Sequence, residues 1–322
     1  MSLCTNHCAG NSYNKFTGSI PPLEAGFAKT LEISLANNLL TGPLPSLDAS
    51  AMAELLATLR VSKLDISSNL LTGTVNPAVS FLSTLKSFNA SNNKFVNEFP
   101  TAGGWPTIEV LSAANNFFTG TISTVWPQAL RHFDMSGNML NGSLPTELCK
   151  LSSLEFLLLG RNSLEGSIPS CYASMSSLRA MEIASARLHG PIPDSIDQLR
   201  YLSVLDISNN TLTGTIPPTM GLMSKLNQLS VDNNSLSSVL PSDLGNLSLL
   251  YRLHLAKNNF VGTIPTSLGG LTGLESVTLV GNELSGPIPN EWCQLSTIKL
   301  SAREVGCDLN CPCCFDSSEV CG

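Results

Sequence analysis

The stretch LSVLDISNNTLTGTIP, residues 202–217, decides how this chain folds. It sets Leu202, Leu205 and Ile207 at offsets 0, 3 and 5, and continues with Asn210, Leu212, Gly214, Ile216 and Pro217. Moved along the chain in steps of about 24 residues, the template keeps matching. Four residues before the Gly position of each x-x-G-x-I-P element stand Asn14, Asn38, Asn69, Asn93, Asn116, Asn138, Asn162, Ala186, Asn210, Asn234, Asn258 and Asn282. Eleven of these twelve rungs are Asn, and the steps between them are 24, 31, 24, 23, 22 and then 24 six times. Such a period marks a stack of like coils, in which each coil buries its apolar face only against its neighbours.

Each coil lays down one short strand, L-x-x-L-x-L, whose offsets 3 and 5 point into the stack while the residues between them point out. At the end of the strand the chain turns away and its backbone N–H and C=O groups need partners. A carboxamide offers both a donor and an acceptor, which accounts for the Asn. Ala186 lacks that group, so a looser rung is expected there. The 31-residue step contains an insertion at 46–60 in which Met52, Leu55, Leu56 and Leu59 fall at helical spacing, with Asp48 or Ser50 as start signal. A short α-helix on the side away from the strands is expected, as a lengthened connection and not a binding element.

The 322 residues are 43% hydrophobic, 13% charged and 6% aromatic, with a formal net charge of −7. No basic run exists to attract phosphates, which argues against nucleic acid and anionic membrane as partners. No apolar window approaches the roughly 20 residues needed to cross a bilayer, so no direct membrane insertion is expected. Met1-Ser2-Leu3 runs into Cys4 without an apolar leader. The expectation is a protein of the secretory pathway whose leader has been removed.

Ten cysteines are concentrated towards the ends. Cys4 and Cys8 precede the first coil, and a bridge between them would pin an N-terminal cap. Cys149 and Cys171 fall eleven and nine residues after their rungs, at similar heights on adjacent coils, near enough for a disulfide. Cys293, Cys307, Cys311, Cys313, Cys314 and Cys321 form a C-terminal cluster of open connectivity. The cluster holds no His, and its adjacent Cys pair suits a tetrahedral thiolate site poorly, so disulfides are expected and neither a metal nor a cofactor. Five Asn-x-Ser/Thr sequons, at Asn89, Asn141, Asn209, Asn233 and Asn246, agree with an oxidising, extracellular setting. The expected domains are an N-terminal cap at 1–13, the coil stack at 14–292 and a Cys-rich cap at 293–322.

The repeats NNTLTGTIP at 209–217, NNFVGTIP at 258–265 and GNELSGPIP at 281–289 resemble the plant-type extracellular leucine-rich repeat. That class includes receptor-kinase ectodomains and polygalacturonase-inhibitor-like proteins, and the resemblance covers roughly residues 11 to 300. It implies an α/β solenoid, a right-handed superhelix with a concave parallel sheet, a smaller second β-layer, and convex 3-10 or short helices. Members of the class act by binding peptide hormones, steroids, co-receptors or microbial enzymes. Two features depart from it. The N-terminal cap is reduced to CTNHC, and the C-terminal CPCC cluster is more like that of secreted repeat proteins of diatoms and related algae.

The expected function is therefore extracellular recognition of a protein, peptide or glycan on the concave face, by a secreted binder or the ectodomain of a larger protein. One alternative is inhibition of a secreted hydrolase. Another is a structural, adhesive or ice-binding surface. Most outward residues two before each rung are small, as a curved scaffold requires. Four before, the column carries Asp65, Asp134, Glu182 and Asp206, an acidic stripe whose Asp residues also suit a structural role in the strand. Large residues among small ones are more informative: Phe156 with Leu158, and Arg252 with His254, with Glu182, Asp206, Gln228 and Asp232 between them. The candidate ligand-binding set is His132, Asp134, Phe156, Leu158, Glu182, Asp206, Gln228, Asp232, Arg252 and His254. His132 and Asp134 share a strand face, but no nucleophile is specified beside them and no catalytic site assembles, so an enzyme is not expected. A Thr row three after each rung, a possible ice-binding array, is broken by Glu165 and His189.

Overall fold

The computed structural model describes residues 13–20, 30–45, 60–77, 79, 82–100, 105–295 and 309–310. The chain divides into two compact units, Met1–Ser163 and Leu164–Gly322. In the first unit a principal parallel sheet runs through Thr30–Ser34, Arg60–Asp65, Ser87–Asn89, Val110–Ser112, His132–Asp134 and Phe156–Leu158 in that order. A second sheet joins Thr17–Gly18, Leu39–Gly42, Leu70–Gly73, Lys94–Glu98 and Phe117–Thr119. The second unit repeats the plan. Its principal strands are Ala180–Glu182, Val204–Asp206, Gln228–Ser230, Arg252–His254 and Ser276–Thr278, and its second sheet runs from Glu165–Gly166 to Leu309–Asn310.

Strand pairing follows the repeat. Leu205 lies in register with Leu229, and Leu229 with Leu253, so the inward leucines form a continuous row. The rungs act as anticipated. Asn138 Oδ1 accepts the Phe118 N–H at 3.0 Å from the preceding coil, and its Nδ2 donates to the carbonyls of Ala113 and Met135, each at 3.0 Å. Asn210 repeats this with Leu188, Ile183 and Ile207. Ala186 has no atoms with which to make these bonds.

The backbone explains a second column of the repeat. The residue before every one of the twelve rungs, from Tyr13 to Gly281, has positive φ, between 52° and 74°. Asn tolerates this left-handed region better than other side-chain-bearing residues, which is why N-N recurs. The Gly four after each rung is likewise left-handed, and where Gly is missing, Asn97 and Ser238 hold φ of 66° and 79°.

Seven five-residue 3-10 helices follow I-P or L-P, from Thr146–Lys150 to Asn290–Gln294. Each Pro, held extended, presents its carbonyl to the N–H three residues on, as Pro145 does to Leu148 and Pro241 to Leu244, both at 3.2 Å. Each helix buries a large residue, Leu148, Tyr172, Ile196, Met220, Leu244, Leu268 and Trp292 in turn. Among the described residues all helices are of this 3-10 type. The helix expected at 46–60 falls outside the described residues, except that Arg60 opens a strand.

The 23- and 22-residue steps of the first unit are filled differently. Phe88, Phe99, Trp105 and Phe118 form an aromatic cluster with ring centroids 5.2–6.3 Å apart. Trp105 Nε1 donates to the Pro100 carbonyl at 2.8 Å, so the buried indole keeps its polar group paired. Cys149, Cys171 and Cys293 are each disulfide-bonded and each sits in a 3-10 helix. The remaining cysteines, Cys4, Cys8, Cys307, Cys311, Cys313, Cys314 and Cys321, lie outside the described residues. Among the described residues no helix is long and apolar enough to cross a membrane, and no group of three or more His, Cys, Asp or Glu is placed to hold a metal ion.

Candidate functional site

The candidate residues fall on the outward faces of the two principal sheets, His132, Asp134, Phe156 and Leu158 in the first unit and the other six in the second. In the first unit His132 stands in register between Val110 and Phe156, and Asp134 between Ser112 and Leu158. All six are half-buried. The His132 and Phe156 rings approach to 5.4 Å at a tilt of 43°. Burial pushes the His132 imidazole below its ordinary pKa, against the opposing pull of Asp134, so the neutral ring is favoured. The result is an apolar step of Val110, His132, Phe156 and Leu158. Cross-strand ion pairs border it, Lys86 to Glu109 and Arg131 to Glu155, both 2.9 Å.

The acidic stripe has a structural duty. Asp134 Oδ1 accepts the backbone N–H of Ser136 at 3.0 Å and its hydroxyl at 2.7 Å. Asp65 does the same for Ser67, and Asp206 for Ser208. Asn89 offers its carbonyl oxygen to the Ser91 N–H. These side chains close the strand end, where the turning backbone leaves an N–H without a ladder partner. The other sequon residues, Asn141, Asn209, Asn233 and Asn246, are exposed, with the carboxamides of Asn209 and Asn233 joined at 3.1 Å.

The second unit departs from that pattern at one coil. His254 occupies the capping position and cannot serve its own strand end, so Asp232 of the preceding coil does. Its Oδ1 accepts the Ala256 N–H at 2.7 Å and the Thr278 hydroxyl at 2.8 Å, and its Oδ2 lies 3.6 Å from His254 Nδ1. His254 Nε2 is 2.8 Å from Ser276 Oγ. Alongside, Arg252 donates to Gln228 Oε1 at 2.9 Å, with its guanidinium 5.9 Å from the centre of the Tyr251 ring. The structure thus joins Gln228 to Arg252 and Asp232 to His254. Asp206 is engaged with Ser208, and Glu182 is exposed. Ser276 and Thr278 complete the network and were not among the expected site residues. Their signal is arithmetic: 232, 254 and 276 are spaced by 22, two short of a coil, so they step diagonally across three strands.

The Thr row divides between the units. Thr17, Thr41, Thr72, Val96, Thr119 and Asn141 are exposed in the first, whereas in the second Glu165 and His189 precede Thr213, Ser237, Val261 and Ser285 at that position.

Parallel strands, a carboxamide ladder, I-P-led 3-10 turns and a second β-layer are the features of the plant-type leucine-rich repeat solenoid fold. The Leucine Rich Repeat family model matches residues 129–151, 201–223, 225–247 and 249–271. Receptor-like protein 35 of Arabidopsis thaliana is 40% identical over 138 residues, 42% of this chain and 14% of that protein. Among solved structures, the Arabidopsis receptor kinase HAESA in complex with the peptide hormone IDA and the co-receptor SERK1 has a TM-score of 0.79. It is 27% identical, covering 89% of this chain and 47% of that one. A TDR receptor has a TM-score of 0.77 at 28% identity, covering 87% and 47%. The chain therefore spans less than half the length of each of these relatives. It shares the fold of ligand-binding receptors.

Proposed function

We propose that the chain is an extracellular recognition module for a protein or peptide ligand, anchored on the strand face of its first unit. The observation that carries this reading is the half-buried pair Phe156 and Leu158, set beside the neutral His132 and Val110 on a face otherwise built largely of small or polar residues. An aromatic and an aliphatic group held by the sheet lose little conformational freedom on binding and supply apolar area for an anchor side chain. The similarity to a receptor solved with a peptide hormone supports the same reading. The Asp residues of the acidic stripe are committed to closing strand ends, which favours this reading over an acidic surface for docking a hydrolase.

The test is selection from a random-peptide display library, with a glycan array in parallel. Enriched peptides should bind the double variant Phe156→Ser, Leu158→Ser at least about tenfold more weakly, the loss of roughly 1.4 kcal/mol expected for an anchor. Equal binding to both proteins would remove this patch from the reading. Capture of glycans alone would replace the ligand class.

A further inference from the structure

We infer that two copies of this chain associate face to face through the second sheet of the first unit, as a weak two-fold dimer. That sheet alternates cleanly. In Leu39–Gly42, Leu70–Gly73, Lys94–Glu98 and Phe117–Thr119 the inward residues Leu40, Leu71, Phe95 and Phe118 are fully buried. The residues on either side of them are exposed, among them Leu39 (45%), Leu70 (39%), Val96 (37%) and Phe117 (45%), with Met139 (52%) on the next coil. Thr41, Thr72, Thr119 and Thr121 fill the face between them. Val96 stands in register beside Phe117, and Thr41 beside Leu70. Stacking of coils requires no apolar group at these places. In the second unit the residue after each rung is Arg187, Thr211, Ser235, Asn259 or Glu283, all polar and exposed. Large apolar groups gathered on neighbouring strands of one unit, and not of the other, mark a contact surface.

The charges on the face select a second copy as the occupant. Lys94 and Glu98 lie on one strand to either side of Val96, and both are exposed. Among the described residues neither side chain has an ion-pair partner. Four residues of extended strand hold them about 13 Å apart, too far to pair with each other. Now let a two-fold axis lie in the contact plane and run across the strands through Val96. The second copy then presents its strands antiparallel to the first. Lys94 meets Glu98 of the partner subunit, Glu98 meets Lys94 of the partner subunit, and the valines meet on the axis. Such a contact satisfies itself and closes at two copies. Lys94 and Glu98 are the only charged residues among the outward positions from Leu39 to Asn141, so no like charges oppose each other. Five strands about 4.8 Å apart and five residues about 3.3 Å each give roughly 400 Å² of face per copy. That is the small, transient end of specific interfaces, and the dimer is therefore reversible.

The test is sedimentation velocity of the full chain from micromolar to near-millimolar concentration. The protein is produced without N-glycans, because Asn141 stands in a sequon at the edge of this face. A monomer–dimer equilibrium is expected, with no larger species. Lys94→Glu sets like charges together at two symmetric points and should weaken association about tenfold, as should Glu98→Lys. Combining the two re-forms both pairs with their signs exchanged and should return association to the wild-type level. Because the two groups cannot reach each other within one chain, that recovery reports a contact between copies. Phe117→Ser removes apolar area and should also weaken the dimer about tenfold. All three side chains are exposed, so the urea midpoint of each variant should match the wild type. A chain that stays monomeric at every concentration, an assembly that grows past two copies, or a double variant no better than either single one would overturn the inference. Peptide binding belongs to the principal sheet and should be unchanged in Lys94→Glu, so the two readings can fail separately.

Discussion

Replacing Asn138 by Ala tests the ladder at a single rung. The carboxamide makes three bonds of 3.0 Å, from Phe118 N–H to Oδ1 and from Nδ2 to the carbonyls of Ala113 and Met135, beside a longer one of 3.2 Å from Nδ2 to the Ser136 carbonyl. The two carbonyls keep another donor, because Asn116 Nδ2 also reaches Ala113 and Asn162 Nδ2 also reaches Met135. Phe118, fully buried, has no such reserve on its N–H. One orphaned buried donor costs about 1–3 kcal/mol, and each of two lost bonds to carbonyls that retain partners about 0.5–1 kcal/mol, giving about 2–4 kcal/mol in all. Asn138→Asp keeps the acceptor but turns an oxygen towards both carbonyls, so at neutral pH it should cost more than Ala. Protonation supplies a donor and recovers part of that loss, so the Asp variant should gain on the Ala variant as the solution is acidified. Urea unfolding followed by circular dichroism gives the energies, and hydrogen exchange at the Phe118 amide reports the local effect. A cost under about 0.5 kcal/mol for both variants, with Phe118 protection unchanged, would refute the satisfaction argument.

Ala186→Asn should restore the missing rung and raise stability by about 1 kcal/mol, read as a higher urea midpoint. Gly245→Ala should destabilise by about 2 kcal/mol or more, because a Cβ there would lie 2.5 Å from the Ser267 carbonyl oxygen of the next 3-10 helix, leaving the backbone to shift. The lowered pKa of His132 means that the unfolded chain binds the proton more readily than the folded one. Stability linked to this residue is therefore intact above about pH 6.5 and falls as the pH drops through the lowered value, and His132→Gln should flatten that slope in a pH series of unfolding midpoints.

Much of the architecture is determined by the sequence alone. The coil count, the inward leucines and the rung asparagines are legible because each coil repeats one solution to the same local need, so the pattern recurs at a fixed period. Even the Asn and Gly columns at positive φ are local properties of single residues. What the tertiary structure decided is which outward groups meet. Asp134 and Asp232 are alike as letters, yet one caps its own strand and the other reaches across two coils to Ala256 and Thr278. Ser276 gains its place beside His254 only through a diagonal that depends on register between strands. Outward side chains are chosen by no stacking requirement, so their partners are set by cross-strand distances that a linear repeat does not contain.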